Sequence, residues 1–418
     1  MRRVVITGIG VISPLGNSRE ALLNNLLQGA AAIRHVDGPH FERLENRLAA
    51  PVIFDADFDP EAAFDAPQLR MMDRVSQFAL HAARQAMKDA RLAFGEDDWQ
   101  ARQQCGVFMG TGMGGAHSTD EGYWTVYGER SNRVKPFSVL LAMNNAAAGW
   151  IALDYRITGP SFTYSTACSS SAVAIGEAYL RIANGELSSA IAGGSEAPLT
   201  FGAMKAWEAM RTLAAEDKDN PAASCKPFSR KRSGLVLGEG AAMLLLEDRD
   251  SALARGATIC AEIAGYGSTT DIAHITRPSV EGQARTMELA LSSSCLEPSQ
   301  IAYINAHGTG TQANDPVETA AIKQVFGDHA YRLAVSSTKS MHGHLLGAAG
   351  ALEFAITALA LHTQTLFPTL HLDEPDPECD LDYVPTKART DVPIEAAMSN
   401  SFAFGGTNAV LVAKRHAA

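Results

Sequence analysis

Short apolar runs alternate along the chain with longer segments in which apolar residues recur at helical spacing. The runs at 4–7, 106–109, 162–166, 190–192, 242–246, 302–306, 333–336, 396–399 and 409–412 are apolar or β-branched and predict strands. The segments 19–27, 75–90, 140–153, 169–183, 281–292, 315–326 and 345–361 predict helices. Such alternation predicts α/β layers with largely parallel sheets. Ala190-Ile-Ala192, closed by Gly193-Gly194, has no polar face and fits a strand covered on both sides. The most apolar stretch is 345–361. Glu353 interrupts it, and Gly347 and Gly350 thin it, so it reads as a helix buried in a large core rather than a membrane span.

At 418 residues the chain exceeds one ordinary core and suits two domains or two fused halves. The charged stretch Leu246-Glu-Asp-Arg-Asp-Ser-Ala-Leu-Ala-Arg-Gly256 follows a complete strand and divides 1–253 from 254–418. No strict repeat is visible, although each half carries a Gly-rich turn beside polar residues. The segment 214–234 is too long for a connector and is expected to cover something. A net charge of −11 argues against a nucleic-acid protein, which needs a basic footprint, but leaves room for an acidic partner where basic residues cluster. Six scattered cysteines without a CxxC pair point to reduced thiols and a cytoplasmic setting. Strand residues begin at Arg3-Val-Val-Ile, so no signal peptide is expected.

Candidate chemistry starts at Cys168, in Ser161-Phe-Thr-Tyr-Ser-Thr-Ala-Cys168-Ser-Ser-Ser171. A thiol between a strand and a helix N-terminus meets unpaired N–H groups and the positive end of the dipole, which should lower its pKa. Ile304-Asn-Ala-His307-Gly-Thr309-Gly-Thr311 delivers a histidine to a Gly/Thr turn; taken alone, a structural hydrogen-bonder is the commoner reading. Lys339 and His344 follow another strand and precede the apolar helix, whose dipole would keep His344 neutral, or both merely cap the turn. His342-x-His344 lacks a neighbouring third ligand, so no metal site is expected. Phe402 and Phe404, in Ser399-Asn-Ser-Phe-Ala-Phe-Gly-Gly-Thr-Asn408, could gate a tunnel or simply fill a core. Gly110-Thr-Gly-Met-Gly-Gly115 has dinucleotide-type spacing, but the residues after it do not form an amphipathic helix, so a close-packing turn is expected instead.

Together, Thr166-Ala-Cys168-Ser-Ser, Asn305-Ala-His307-Gly-Thr-Gly-Thr311, Ser337-Thr-Lys339 through His344-Leu-Leu-Gly-Ala-Ala-Gly350 and Asn400–Asn408 resemble the motifs of type II β-ketoacyl-[acyl-carrier-protein] synthases over essentially the full length. The resemblance implies the thiolase fold: two similar α/β halves in five layers, αβαβα, usually a homodimer. It implies that Cys168 accepts the acyl chain. The backbone N–H groups of Cys168 and Phe404 would form the oxyanion hole. His307 and His344 would bind malonyl thioester and drive its decarboxylation. Lys339 would tune the site with Glu318 as its ion-pair partner, Thr309 and Thr311 would position the phosphopantetheine arm, and Phe402 with Phe404 would form the gate. Met113, Ala203 and Trp207 fall at the acyl pocket, and Arg70, Arg130, Arg133, Lys135 and Arg211 at the docking patch for an acidic acyl carrier protein. No metal or organic cofactor is implied beyond the carrier's own arm.

The chain departs from the family pattern at Ala403, commonly glycine, and at His342, usually threonine. Pro67 and Met71 stand where relatives carry more lysines, which leaves a dedicated carrier and a specialised polyene or polyketide pathway open. There the chain would be the active half beside a chain-length-factor partner. A thiolase is disfavoured because the loop Phe404–Asn408 has no second cysteine. A purely structural partner is disfavoured by the intact Cys168, His307 and His344.

Overall fold

The computed structural model describes residues 1–416. Its strands are β1 (Val4–Ile12), β2 (Arg34–His35), β3 (Leu48–Ala50), β4 (Cys105–Gly110), β5 (Ser161–Tyr164), β6 (Ser189–Glu196), β7 (Leu237–Gly238), β8 (Gly240–Asp248), β9 (Ala261–Thr270), β10 (Tyr303–Asn305), β11 (Ala334–Ser336), β12 (Ala396–Phe402) and β13 (Thr407–Lys414). One strand order occurs twice. The first half runs β1-β8-β6-β4-β5 and the second β9-β13-β12-β10-β11, and β1 pairs β9 where they meet. In each half the first two ladders are antiparallel and the last two parallel. The sheets are therefore mixed rather than largely parallel. The tight turn from β12 to β13 leaves room only for antiparallel pairing.

The helices Arg74–Asp89 and Ala146–Tyr155 cover the outer face of the first sheet, and Val280–Ser294 with Asn314–Phe326 cover the second. Between the sheets lie Ser170–Ala183 and Ala349–Thr363, packed on each other. This is the five-layer αβαβα arrangement. The stretch Leu346–Thr363 is apolar and long enough to cross a membrane, yet it lies 89% buried in this central layer. Each large apolar side chain buried there contributes about 1.5–3 kcal/mol relative to exposure.

The first strand of each half carries the same device. A Cβ at Gly8 or Gly10 of β1 would lie 2.0 or 1.9 Å from a carbonyl of helix Arg74–Asp89. At Gly265 or Gly267 of β9 it would lie 2.5 Å from a carbonyl of helix Val280–Ser294. Ile6-Thr-Gly-Ile-Gly10 and Ile263-Ala-Gly-Tyr-Gly267 are thus a short internal repeat with a packing reason, although the residues between the glycines differ.

Some expected elements differ. The helix expected over 140–153 is two, Ser138–Ala142 and Ala146–Tyr155, because Met143 is extended and Asn144 packs on Gly114. The residues after the glycine turn do form a helix, Ala116–Tyr123. The segment 214–234 buttresses rather than covers. Its Phe228 stacks on Tyr383 at 3.9 Å between centroids and donates its N–H to Asp315, while Arg232 pairs with Asp376 and donates to the Thr311 carbonyl.

Candidate active site

Cys168 follows β5 in a tight elbow. Ala167 has φ 51°, a left-handed conformation that costs a residue with a Cβ about 1–2 kcal/mol. The serine cluster holds the elbow: Ser170 Oγ donates to the Ala167 carbonyl and accepts from the Thr166 N–H, and Ser169 Oγ donates to the Thr166 carbonyl. Helix Ser170–Ala183 then runs inward, with Gly185 after its end donating to the Ile182 carbonyl. The elbow leaves the thiol at the floor of a cavity of about 420 Å³ whose wall includes His307, His344, Phe402 and Phe404.

The three reactive groups converge. Cys168 Sγ and a ring nitrogen from each of His307 and His344 lie within 4.8 Å of one another. The rings meet edge-on with centroids 5.3 Å apart. His307 comes from the end of β10 and His344 from the segment after β11, so strand ends of both halves build one site. Burial holds both imidazoles well below the ordinary histidine range, with the Lys339 charge adding to it, so both are neutral. His344 Nδ1 accepts the Leu346 N–H, so its proton sits on Nε2, which has no protein partner among the described residues. His307 Nδ1 is likewise without a partner among them. An unpartnered neutral imidazole N–H on the cavity wall, as at His344 Nε2, suits an oxygen on which negative charge develops.

The backbone of His307 is clamped from two sides. Glu318 accepts the N–H groups of His307 and Gly308, each at 2.8 Å, and Lys339 Nζ donates to the His307 carbonyl at 2.6 Å. Glu318 also accepts from the side chains of Asn314 and Asn400. The expected Lys339–Glu318 pair does not form. Lys339 pairs with Glu353, fully buried on helix Ala349–Thr363, because that helix runs beneath the lysine while Glu318 is saturated by N–H donors. The signal was present as the one charge interrupting the apolar stretch 345–361.

The thiol also departs from expectation. Burial pushes Cys168 up to about 11. Lys339 and the Phe404 backbone N–H, which lies within hydrogen-bonding reach of the sulfur, pull the other way without prevailing. Desolvation of a thiolate at the bottom of a pocket is the largest influence there, ahead of the Lys339 charge and the Phe404 N–H.

Thr309 and Thr311 line the cavity and their hydroxyls bond each other at 2.9 Å. Phe404 lies on the wall 6.1 Å from Trp207 in a stacked geometry, and Phe402 is buried 6.1 Å from His307. Ala403 joins the same wall. Of the three acyl-pocket candidates only Trp207 borders this cavity; Met113 is exposed and Ala203 is buried in helix Phe201–Ala209. Arg70, Arg130, Arg133, Lys135 and Arg211 are all exposed, Lys135 in an ion pair with Glu121. Arg211 lies between Met210 and Thr212, both cavity residues. His342 faces away from the site, its two ring nitrogens bonded to the Gly343 carbonyl and the Thr338 hydroxyl. The dinucleotide-like turn is occupied by protein: Glu196 takes the Gly112 and Met113 N–H groups, where a phosphate would have to sit.

The model of the beta-ketoacyl synthase N-terminal domain matches residues 1–252, and that of the C-terminal domain matches 260–373. The chain belongs to the beta-ketoacyl synthase family. It is 42% identical to 3-oxoacyl-[acyl-carrier-protein] synthase 2 of Coxiella burnetii over 99% of both chains, and 42% identical to the same-named protein of Staphylococcus aureus over 99% of this chain and 98% of the relative. Among solved structures it is similar to a beta-ketoacyl synthase from Burkholderia phymatum (38% identity, TM-score 0.90) and to the ishigamide ketosynthase/chain length factor (35%, TM-score 0.92), each over the whole of both chains. A type II polyketide ketosynthase solved with its acyl-carrier protein is 31% identical with a TM-score of 0.89, again over the whole of both chains.

Proposed function

We propose that the chain is a 3-oxoacyl-[acyl-carrier-protein] synthase that extends an acyl chain by two carbons through decarboxylative Claisen condensation. The observation that carries this reading is the convergence of one thiol and two neutral imidazoles within 4.8 Å at the floor of a cavity. In the first half-reaction Cys168 attacks the acyl thioester. An adjacent imidazole takes the thiol proton, and the carrier's pantetheine thiol leaves with it. The N–H groups of Cys168 and Phe404 stabilise the tetrahedral oxyanion. In the second, the malonyl thioester carbonyl accepts hydrogen bonds from His307 and His344. Its carboxylate leaves as carbon dioxide, and the enolate carbon attacks the acyl-Cys168 carbonyl. The C–C bond forms as the C–S bond breaks, and the released thiolate takes one proton from solvent, replacing the one that left with the pantetheine thiol.

In this reading Thr309 and Thr311 guide the pantetheine arm, Phe402 and Phe404 gate the cavity, and the exposed basic residues dock an acidic carrier. Met113, Ala203 and Trp207 shape the acyl pocket once a partner subunit closes it. A homodimer across β5 is part of the proposal. β5 is an edge strand whose outer side pairs no other strand among the described residues, and Phe162, Phe137, Val139, Leu140 and Met143 are exposed. The likeness to the ishigamide ketosynthase/chain length factor favours one second reading, in which a related subunit takes that edge. A reducing, cytoplasmic setting is supported by six free cysteines, five of them buried.

The roles separate by mutation. Cys168→Gln is expected to keep decarboxylating malonyl-carrier protein while losing condensation. His344→Ala is expected to take an acyl group on Cys168 yet decarboxylate at least about 100-fold more slowly. Parallel loss of both half-reactions in both variants would contradict this division of labour.

A further inference from the structure

Glu196 ends β6 at zero exposure, next to the site, and no step above uses it. Its two oxygens collect four donors. Oε2 accepts the Gly112 N–H at 2.6 Å and the Gly347 N–H at 2.9 Å, and Oε1 accepts the Met113 N–H at 2.9 Å and the Thr111 hydroxyl at 3.2 Å. The donors come from two separate pieces of the site. Thr111–Met113 is the turn after β4. Gly347 follows the Leu346 whose N–H sets the His344 tautomer. Both pieces are shaped around the carboxylate: a Cβ at Gly347 would lie 2.5 Å from Glu196 Oε2 and 2.3 Å from the Gly112 nitrogen. Leu346 is held at φ 47°, a conformation that needs outside support in a residue with a branched side chain.

We propose that Glu196 is a positioning residue that clasps the Thr111–Met113 turn to the His344 turn, and so keeps the His344 proton on Nε2, facing the substrate. The chain of contacts is short. Glu196 anchors the Gly347 N–H; this fixes the strained Leu346 peptide; the Leu346 N–H occupies His344 Nδ1; the proton is left on Nε2. Without the clasp the Leu346 peptide relaxes, Nδ1 competes for the proton, and the donor to the malonyl carbonyl is lost for part of the population. Cys168 lies outside this chain of hydrogen bonds; the Glu196 charge reaches it only as the least of the named influences that raise its thiol, so removing that charge does not hinder acylation. The inference rests on the condensing-enzyme reading for its kinetic readout and on the tautomer alone for its spectroscopic one.

The test replaces Glu196 by Gln, which keeps the shape but turns one acceptor into a donor facing N–H groups. Two quantities are measured on wild type and variant: the imidazole ¹⁵N shifts of His344, assigned by its loss in His344→Ala, and the separate rates of Cys168 acylation and malonyl decarboxylation. The expected result is a shift of His344 away from the pure Nε2–H tautomer. A fall of about tenfold or more in decarboxylation should accompany it, with acylation changed less than about twofold. Glu196→Asp, which retains two acceptor oxygens, is expected to recover part of the tautomer and the rate, and it carries the same comparison if the glutamine variant fails to fold. An unchanged His344 tautomer, or an equal loss in both half-reactions, overturns the proposal. A wild-type chain that takes no acyl group would overturn the condensing-enzyme reading instead and leave the ¹⁵N result to decide the clasp.

Discussion

A thiol beside a helix N-terminus is subject to two opposed effects, and at Cys168 burial wins. The dipole favours the anion, but a charge within the first turn is worth only about 0.3–2 kcal/mol, less than removing a thiolate from water at 6% exposure. The thiol of the resting protein is therefore protonated, and the proposed acylation needs a base; His307 is the imidazole open to that task, because His344 carries its proton on Nε2 and its Nδ1 already accepts the Leu346 N–H. The alkylation rate of Cys168 by iodoacetamide should climb steadily from pH 7 through pH 9, because the thiolate fraction keeps growing toward a pKa of about 11. A plateau below pH 8 would restore the pre-formed thiolate. The side chains that converge, Cys168, His307 and His344, were legible, since cysteine and histidine at strand ends are unusual and chemically specific. The partner of Lys339 was not. Glu318 and Glu353 both lie on helices near it, and only the path of the central helix under the lysine selects Glu353.

At the scale of elements, strand centres were legible and strand ends were not. The run 190–192 extends to Ser189–Glu196, because ladder bonds carry pairing through Gly193, Gly194 and two polar residues. β9 was missed because Ala261–Thr270 is weakly apolar and interrupted by the glycines that admit the outer helix. The glycine turn after β4 is a packing device, as its sequence suggested. A Cβ on Gly110 would lie 2.3 Å from the Ser171 nitrogen, in the first turn of the helix that carries the elbow. Gly110→Ala is accordingly expected to cost about 1–3 kcal/mol by overpacking and to lower condensation by pushing the Cys168 elbow toward the cavity. Denaturant unfolding measures the first and a steady-state assay the second; a variant of unchanged stability and rate would mean that the helix has slack there.

Across the whole molecule the two halves share one job. Each central helix starts at the site: Ser170–Ala183 just after Cys168, and Ala349–Thr363 just after His344. Cys168 and His344 therefore occupy corresponding places after β5 and β11 of the repeated sheet, which is why residues so distant in sequence meet. The duplication was only faintly written, in the paired Ile-x-Gly-x-Gly segments, because packing constrains just the positions where backbone approaches backbone. The free edge belongs to this scale as well. Phe162→Glu, at a position 43% exposed on β5, should convert the proposed dimer to a monomer in light scattering; a variant that stays dimeric would place the subunit contact elsewhere. The most direct measurement is the location of a transferred acyl group. The full chain is incubated with acyl carrier protein bearing a fatty-acyl thioester, digested, and mapped by peptide mass spectrometry. An added acyl mass on the peptide containing Cys168, and on none of the peptides with Cys105, Cys225, Cys260, Cys295 or Cys379, is the predicted result. An unmodified Cys168, or the acyl group on another of these cysteines, would contradict it.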